Sequence, residues 1–309
     1  EEMTSDFPSI SFSPDIGGTL SSPNVSWNAG GDAITWEYTI VDNAITALGV
    51  DITISDASDI VGNPMQASFT DPDKFMVDTE NPMVSIQASQ IVVNKSEVGS
   101  QFSIEFTFSE EVQNYPPTIN FNPSVGTTLA NGNGTWNNAN TIYTWVADVV
   151  LSGGTGEEIP DIDVTISGMK DLNNNNQVTE SAVDYFNIDT KTPEVITIST
   201  NMVDIGDNDV GISVFTITVD YNEPMRLAAP GINFDKDITN TLTLVDETWN
   251  ASTTSYSWVY NVTDANEYLP DIDVSVNLGS DVAGNPHVLT TETDLFTIDM
   301  ANPTATVTV

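Results

Sequence analysis

The sequence predicts an all-β protein built from tandem β-sandwich domains, and three observations support this prediction. Strands such as Phe215–Tyr221 alternate apolar and polar residues with the period of two of a half-buried strand. No segment of ten or more residues carries the apolar stripe of a helix. A short motif, Phe-x-Val/Ile-Asp-x-x-x-Pro, ends at Pro82, Pro193 and Pro303, so it recurs after 111 and 110 residues. Because about 110 residues can bury their own core, this period indicates whole domains.

The predicted elements follow in the same order within each period. The middle period begins with the alternating strand Phe102–Phe108 and continues with a hairpin that carries Trp136 and Trp145. Next come the alternating strand Ile162–Ile166, a turn rich in aspartate and asparagine, and the closing strand with the recurrent motif. About seven short strands per period are typical of an antiparallel β-sandwich.

Alignment of the periods divides the chain into repeats. The expected repeats are a partial one at 1–82, complete ones at 83–193 and 194–303, and the start of another at 304–309. The first lacks the residues that correspond to Met83–Ser109, which hold the first two strands. We interpret the chain as a segment of a longer periodic polypeptide. Completion of the first domain by a neighbouring chain is the alternative.

The charge of the chain restricts its partners. The 309 residues include 45 acidic and 6 basic side chains, which gives a formal net charge of −39 at pH 7. Such a surface repels nucleic acid and anionic membranes and attracts cations. There is no cysteine for disulfides or thiolate chemistry, and no apolar run approaches the roughly 20 residues that span a bilayer. We expect no nucleic-acid partner and no direct membrane insertion.

The sequence also argues against catalysis. His287 is the single histidine, and the other repeats have no counterpart of it. Neither a Gly-x-Ser-x-Gly nucleophile motif nor a glycine-rich phosphate loop occurs. Paired carboxylates could serve a glycosidase, but the candidate pairs recur with every repeat and flank the linkers. We therefore expect a protein that is not an enzyme.

Several motifs together resemble a known family. They are a strand ending in Glu-Glu-Val or Glu-Pro-Met, the tryptophan hairpin, Asp-Ile-Asp-Val, Asp-x-Ala-Gly-Asn and the recurrent proline motif. Over essentially the whole chain, they look like the tandem bacterial Ig-like (cadherin-like) repeats of giant cell-surface adhesins. The resemblance implies tandem Ig-like antiparallel β-sandwich domains in an extended array, at an extracellular location on the cell surface. It also implies Ca²⁺ at the junctions between repeats.

The order of strands in such a sandwich predicts which acidic residues meet at a junction. The second strand returns to the end where the first began, so the loop after it lies beside the turn before the last strand and beside the incoming linker. At the junction of the first and second repeats, this end gathers Asp78, Glu110, Glu111, Asp171, Asn173 and Asn175. At the next junction, it gathers Asp189, Glu223, Asp281 and Asn285. Convergent carboxylate and amide oxygens suit Ca²⁺, with its 6–8 oxygen ligands, better than Mg²⁺.

More acidic residues are expected at the downstream end of each repeat. We predict that this end adds Asp161, Asp163, Asp271, Asp273 and Asp299 to the metal ligands. Two simpler interpretations stay open. Asp-x-x-Gly-Asn forms a good turn without any metal, because glycine and asparagine tolerate positive φ. The aspartates around Ile-Asp-Val could be solvated charges that discourage pairing of strand edges.

The leading functional interpretation is a structural spacer or stalk of a secreted cell-surface adhesin, made rigid by Ca²⁺ at its linkers. The expected partners are calcium ions and further repeats of the same chain. The alternative is a surface-layer or filament subunit, in which neighbouring copies form a lattice or polymerise. A carbohydrate- or protein-binding module is disfavoured, because the tryptophan pairs are nearly equivalent in all three repeats. The acidity could instead be an adaptation to high salt.

Overall fold

The computed structural model describes residues 2–308, and regular structure within them is almost entirely β-strand. The all-β fold class predicted from the sequence is therefore confirmed. Three short 3₁₀ turns interrupt the strands, at Lys95–Glu97, Ser152–Gly154 and Asp207–Asp209. We keep the names first, second and third repeat for residues 1–82, 83–193 and 194–303, and these limits remain predictions.

The strands follow one another closely in each repeat. The first repeat contains β1 (Ser9–Ser13), β2 (Asn24–Trp27), β3 (Ile34–Glu37), β4 (Thr46–Ser55) and β5 (Phe69–Asp78). The second contains β6 (Val84–Ala88), β7 (Val92–Asn94), β8 (Gln101–Phe108), β9 (Thr118–Asn122), β10 (Leu129–Trp136), β11 (Ile142–Val149), β12 (Glu158–Ser167) and β13 (Glu180–Asp189). The third contains β14 (Val195–Thr200), β15 (Asp204–Gly206), β16 (Gly211–Tyr221), β17 (Gly231–Phe234), β18 (Leu242–Trp249), β19 (Ser255–Val262), β20 (Tyr268–Asn277) and β21 (Thr290–Asp299).

Two four-stranded sheets face each other in the second repeat. One has the order β10-β11-β8-β6, and the other has the order β7-β13-β12-β9. The core between them buries Phe102, Ile104 and Phe106 from β8 against Ile162 and Phe186 from the facing sheet. Successive side chains of a strand point to opposite faces, so the alternation in the sequence becomes the burial pattern of β8.

The third repeat has the same architecture. Its sheets have the orders β14-β16-β19-β18 and β15-β21-β20-β17. Its core buries Phe215, Ile217 and Trp258 against Ile272 and Phe296. Trp258 packs inside the sandwich as the tryptophan hairpin predicts, where its large apolar surface stabilises the core.

One strand pair in each of these repeats is parallel, which the sequence did not reveal. β7 runs parallel to β13, and β15 runs parallel to β21. The opening segment of the repeat crosses between the sheets, because β6 pairs with β8 and the following β7 pairs with the closing strand. Asn94 is thereby opposite Asp189, and the turn Lys95–Glu97 lies where the chain leaves the second repeat.

The first repeat has a smaller core. Its strands form a three-stranded sheet, β1-β4-β5, and a two-stranded sheet, β2-β3. Ile16, Ala47, Val50 and Val77 are its buried apolar residues. The closing strand β5 still ends at Asp78, so it delivers this aspartate to the linker as β13 delivers Asp189.

Candidate metal centres at the junctions

Two groups of carboxylates lie at corresponding places in the chain. Asp78, Glu110 and Asp171 form the first cluster, at the junction of the first and second repeats. Asp189, Glu223 and Asp281 form the second cluster, at the next junction. In each cluster, one carboxylate oxygen from every residue lies within 4.8 Å of the others. Each cluster thus joins the end of a closing strand, the loop after the second long strand and a turn of the following repeat.

The turn of the third repeat holds Asp281 by local hydrogen bonds. Asp281 Oδ1 accepts from the backbone N–H groups of Gly284 at 2.6 Å and Asn285 at 2.8 Å. Asn285 Nδ2 donates to Asp281 Oδ2 at 2.9 Å. Gly284 has a φ of 101°, a conformation that favours glycine. The sequence Asp-Val-Ala-Gly-Asn therefore fixes the direction of the buried Asp281 carboxylate.

The second repeat builds the same turn from an asparagine run. Asp171 Oδ1 accepts from the backbone N–H groups of Asn173 and Asn175, both at 2.8 Å. Asn174 takes the place of the glycine and has a φ of 72°, which asparagine tolerates better than most residues. Asn175 Nδ2 donates to Asp171 Oδ2 at 2.7 Å. The two turns are therefore equivalent despite their different sequences.

The pKa shifts of two acidic groups, Asp59 in the first repeat and Glu110 in the first cluster, have opposite directions. In the first repeat, hydrogen bonds from Asn63 lower the pKa of Asp59, as expected for turn chemistry alone. At the first junction, burial and then the charges of Asp171, Asp78 and Glu80 raise the pKa of Glu110 to about 7. The Glu110 carboxylate is held among like charges, and a cation between them would relieve this repulsion.

The second cluster has the same character. Burial and then the charges of Asp189, Asp281 and Glu158 raise the pKa of Glu223 to about 7, and Lys191 opposes this shift. Burial and the charge of Asp281 raise the pKa of Asp189 to about 6. Both junctions therefore concentrate negative charge that the protein itself does not fully neutralise.

The asparagines of the turns bind the linker directly. At the first junction, Asn173 Nδ2 donates to Asp78 Oδ2 at 2.5 Å, and Asn175 Nδ2 donates to the Asp78 carbonyl at 3.1 Å. At the second junction, Asn285 Nδ2 donates to the Asp189 carbonyl at 2.9 Å. Asn285 Oδ1 accepts from the backbone N–H of Lys95 at 2.7 Å. Asn285, which we expected as a metal ligand, thus uses its amide to hold two segments of the second repeat.

Three charged residues near the clusters were not among the residues predicted from the sequence. Glu80 and Lys191 lie in the linkers, two residues after Asp78 and Asp189 respectively. Glu158 begins β12 and is opposite Asp189 in the strand register. The linkers were visible in the sequence, so Glu80 and Lys191 could have been included by position. Glu158 required the register of β12 with β13, which the sequence alone does not give.

The second aspartate in each of the segments Asp161–Asp163 and Asp271–Asp273 binds backbone within its own repeat. Asp163 Oδ1 accepts from the backbone N–H of Asp184, and Asp273 Oδ1 accepts from that of Asp294, both at 2.9 Å. Asp184 and Asp294 have φ values of 48° and 53° at irregular points in the closing strands. Asp163 and Asp273 thus fasten a backbone bulge, and neither belongs to the carboxylate clusters. Whether Asp163 and Asp273 also bind a metal ion stays a prediction.

The remaining expected ligands lie outside the two clusters as well. Asp161 and Asp271 are exposed, and their backbone N–H groups donate to Asn187 Oδ1 and Thr297 Oγ1. Glu111 is exposed and accepts a long hydrogen bond of 3.4 Å from Asn140. Asp299 ends β21 and is exposed.

In the described residues, no helix has the length and apolar character needed to cross a membrane. No family model and no curated protein sequence matches the chain.

Several solved structures are similar to the chain. The extracellular cadherin domains 1–4 of protocadherin gamma B7 are 14% identical, with a TM-score of 0.38 over 96% of this chain and 67% of that one. Mouse clustered PcdhgC3 EC1–3 is 10% identical, with a TM-score of 0.42 over 95% of this chain and 89% of that one. A Ca²⁺-stabilized adhesin with which an Antarctic bacterium binds ice is 19% identical, with a TM-score of 0.32. That match covers 82% of this chain and 57% of the adhesin chain.

Proposed function

We propose that the chain is a structural spacer of an extracellular, cell-surface adhesin, in which Ca²⁺ at the junctions holds tandem Ig-like repeats in line. The observation that carries this proposal is the recurrence of one arrangement at two successive junctions. In each, an aspartate of one repeat meets a glutamate and an aspartate of the next within 4.8 Å. The work of such a chain is mechanical, because it provides reach and stiffness.

The donor set suits a hard divalent cation. Each cluster offers three carboxylates, and Ca²⁺ accepts six to eight oxygen ligands in a flexible geometry that backbone carbonyls and water can complete. Mg²⁺ demands a tighter octahedron and keeps its own water. The raised pKa of Glu110 and of Glu223, about 7 in each case, supports the fit because burial and neighbouring negative charges outweigh any positive charge beside these carboxylates.

The position of the clusters explains how an ion would stiffen the chain. Asp78 ends the closing strand of the first repeat, whereas Asp171 belongs to a turn of the second. In the same way, Asp189 ends the closing strand of the second repeat, and Asp281 belongs to a turn of the third. An ion that binds only when both sides are in place favours the aligned junction over a bent one. The stabilisation amounts to about 2.7 kcal/mol when the free ion is at 100 times its dissociation constant.

Small-angle X-ray scattering of the whole chain tests the proposal. We expect a longer maximum dimension and a narrower range of shapes in millimolar Ca²⁺ than after chelation, with a weaker effect of Mg²⁺. The matched control is the double variant Glu110→Gln, Glu223→Gln, which keeps the shape of both side chains but removes their charge. This variant should scatter in Ca²⁺ as the unsubstituted chain does in chelator. Equal dimensions of the unsubstituted chain with and without Ca²⁺ would refute the stiffening role.

A further inference from the structure

A contact between amide and backbone groups also joins the second and third repeats. The 3₁₀ turn that begins after Asn94 lies against the turn Asp281–Asn285, although the two are separated by 190 residues in the chain. Asn94 Nδ2 donates to the Ala283 carbonyl at 2.9 Å. The Lys95 backbone N–H donates to Asn285 Oδ1 at 2.7 Å.

Hydrogen bonds within the 3₁₀ turn orient Asn94 for this contact. Asn94 Oδ1 accepts from the Ser96 backbone N–H at 2.9 Å, and Glu97 Oε2 accepts from the Asn94 backbone N–H at 2.6 Å. This capping box fixes the Asn94 side chain so that only its amide N–H group remains to donate outward. The first N–H of the turn, that of Lys95, has no partner within the turn and is likewise directed outward.

The receiving side is buried and hydrogen-bonded. Asn285 and Asp281 are each 1% exposed. Asn285 Nδ2 donates to both the Asp189 carbonyl and Asp281 Oδ2, and its Oδ1 accepts from Lys95. A buried amide is stable only when its donors and acceptor are paired, so each of these partners is needed. The Asn285 side chain therefore joins the closing strand, the 3₁₀ turn and the turn of the third repeat at one point.

We propose that Asn285, with Asn94 and the Lys95 backbone, forms a latch that holds the orientation of the second and third repeats without any metal ion. The inference deepens the proposed function, because it divides the stiffness of this junction between an ion and a direct contact. The three bonds between repeats use amide and backbone groups and none of the three clustered carboxylates, so chelation leaves them in place. The latch sets the direction of the third repeat, and the ion adds to its stability.

The latch depends on residues that are specific to this junction. In the third repeat, Gly206 precedes the corresponding 3₁₀ turn, in the position that Asn94 has in the second. A glycine has no side chain to donate to a following turn. A junction after the third repeat would therefore lack the bond that Asn94 makes here.

Distance measurements between spin labels test the latch in the full chain. The chain has no cysteine, so labels can be attached at single introduced cysteines. Ser11, Asn120 and Asn233 are exposed residues at corresponding positions of the three repeats, in β1, β9 and β17. The pair Asn120→Cys and Asn233→Cys reports the second junction. The pair Ser11→Cys and Asn120→Cys reports the first.

In metal-free buffer, we expect Asn285→Ala to broaden the distance distribution across the second junction. Asn94→Asp should do the same, because it keeps the oxygen that caps the 3₁₀ turn but replaces the donor to Ala283 with a carboxylate. Asn94→Asp also keeps the proposal testable if Asn285→Ala disturbs its own turn. The matched control is Asn63→Ala, which removes the same local bond to Asp59 in the first repeat and should leave the distribution unchanged.

Two outcomes separate the latch from the proposed function. If both variants at the second junction give the same distribution as Asn63→Ala in metal-free buffer, the latch is refuted. If Ca²⁺ narrows the distribution across neither junction, the role of the ion is refuted, while broadening by Asn285→Ala and Asn94→Asp would still establish the latch.

Discussion

Each of the two junctions contains a cluster of three carboxylates, but the charges around the two clusters differ. In the first, Asp78, Glu110 and Asp171 are joined by Glu80 from the linker, whose charge contributes to the raised pKa of Glu110. In the second, the linker supplies Lys191, which opposes the raised pKa values of Asp189 and Glu223. The fourth carboxylate there comes instead from Glu158 at the start of β12.

The direct contacts also differ. At the first junction, both asparagine bonds of the turn end on Asp78 alone. At the second, Asn285 and Ala283 are bound from two separate segments of the second repeat. The comparison teaches that the same carboxylate arrangement recurs along the chain with different charges and direct contacts around it. We expect the first junction to depend more on Ca²⁺ and the second to depend less.

The largest expected effect is the loss of an ion site. Asp189→Ala should remove Ca²⁺ binding at the second junction and leave the first intact, because one of only three clustered carboxylates is lost. The stabilisation that the ion provides there, about 2.7 kcal/mol at 100 times its dissociation constant, should disappear. Differential scanning calorimetry of the whole chain with and without Ca²⁺ measures this change.

The matched control for this experiment is Asp163→Ala in the same repeat. It removes a carboxylate that fastens the bulge at Asp184 and stands outside the cluster, so it should cost about 1 kcal/mol of folding stability. The response to Ca²⁺ should be retained. A Ca²⁺ response that survives Asp189→Ala, or one that is lost in Asp163→Ala, would contradict the assignment of the second cluster.

An exchange of the linker charges should make the Ca²⁺ affinities of the two junctions more similar. Glu80→Lys should weaken Ca²⁺ binding at the first junction, and Lys191→Glu should strengthen it at the second. Each effect should be roughly 1 kcal/mol, a severalfold change in affinity, because these linker charges are in contact with solvent. Titration monitored by the label pairs across each junction assigns the change to its site.

Glu105→Lys controls for the change in total charge, because Glu105 is exposed in the middle of β8. It should alter both affinities much less than either linker variant. If the linker variants act no more strongly than this control, the charge difference between the junctions does not set their affinities.

The smallest expected effect is a pH dependence of the metal-free chain. Glu110 and Glu223 have a pKa of about 7 in the folded chain, above the ordinary value of about 4.3 for glutamate. Protonation therefore stabilises the folded state fully below the unfolded value, and this contribution is lost as the pH rises through about 7. The metal-free chain should melt at a higher temperature near about pH 5.5 than near about pH 8.

The double variant Glu110→Gln, Glu223→Gln separates this effect from the general acidity of the chain. Its melting temperature should depend less on pH over the same interval. Ca²⁺ should reverse the trend for the unsubstituted chain, because the ion binds the deprotonated carboxylates. An identical pH dependence in the variant would place the titrating groups elsewhere.

Much of the fold could be predicted because its signals are local. Alternation in Phe102–Phe108 became the burial pattern of β8, and the tryptophan hairpin became a packed part of the core. The meeting of Asp189, Glu223 and Asp281 followed from strand order alone, since topology decides which loops share an end of a sandwich. Whether these clusters hold an ion stays a prediction.

The remaining features depend on contacts that leave no local pattern. The bulges at Asp184 and Asp294 interrupt the alternation, so the hydrogen bonds that Asp163 and Asp273 accept from the backbone there could not be inferred. The parallel course of β7 could not be inferred, because it depends on the opening segment crossing between the sheets. The bond between Lys95 and Asn285 follows from that crossing and joins residues 190 apart.

Calorimetric titration of the whole metal-free chain with Ca²⁺ at neutral pH tests the central claim most directly. The account predicts saturable binding at both junctions, with dissociation constants at or below the 10⁻⁴ to 10⁻³ M that is typical of extracellular Ca²⁺ modules. It also predicts that Glu110→Gln and Glu223→Gln together abolish this binding. Absence of binding by the unsubstituted chain, or equal binding by the double variant, would contradict it.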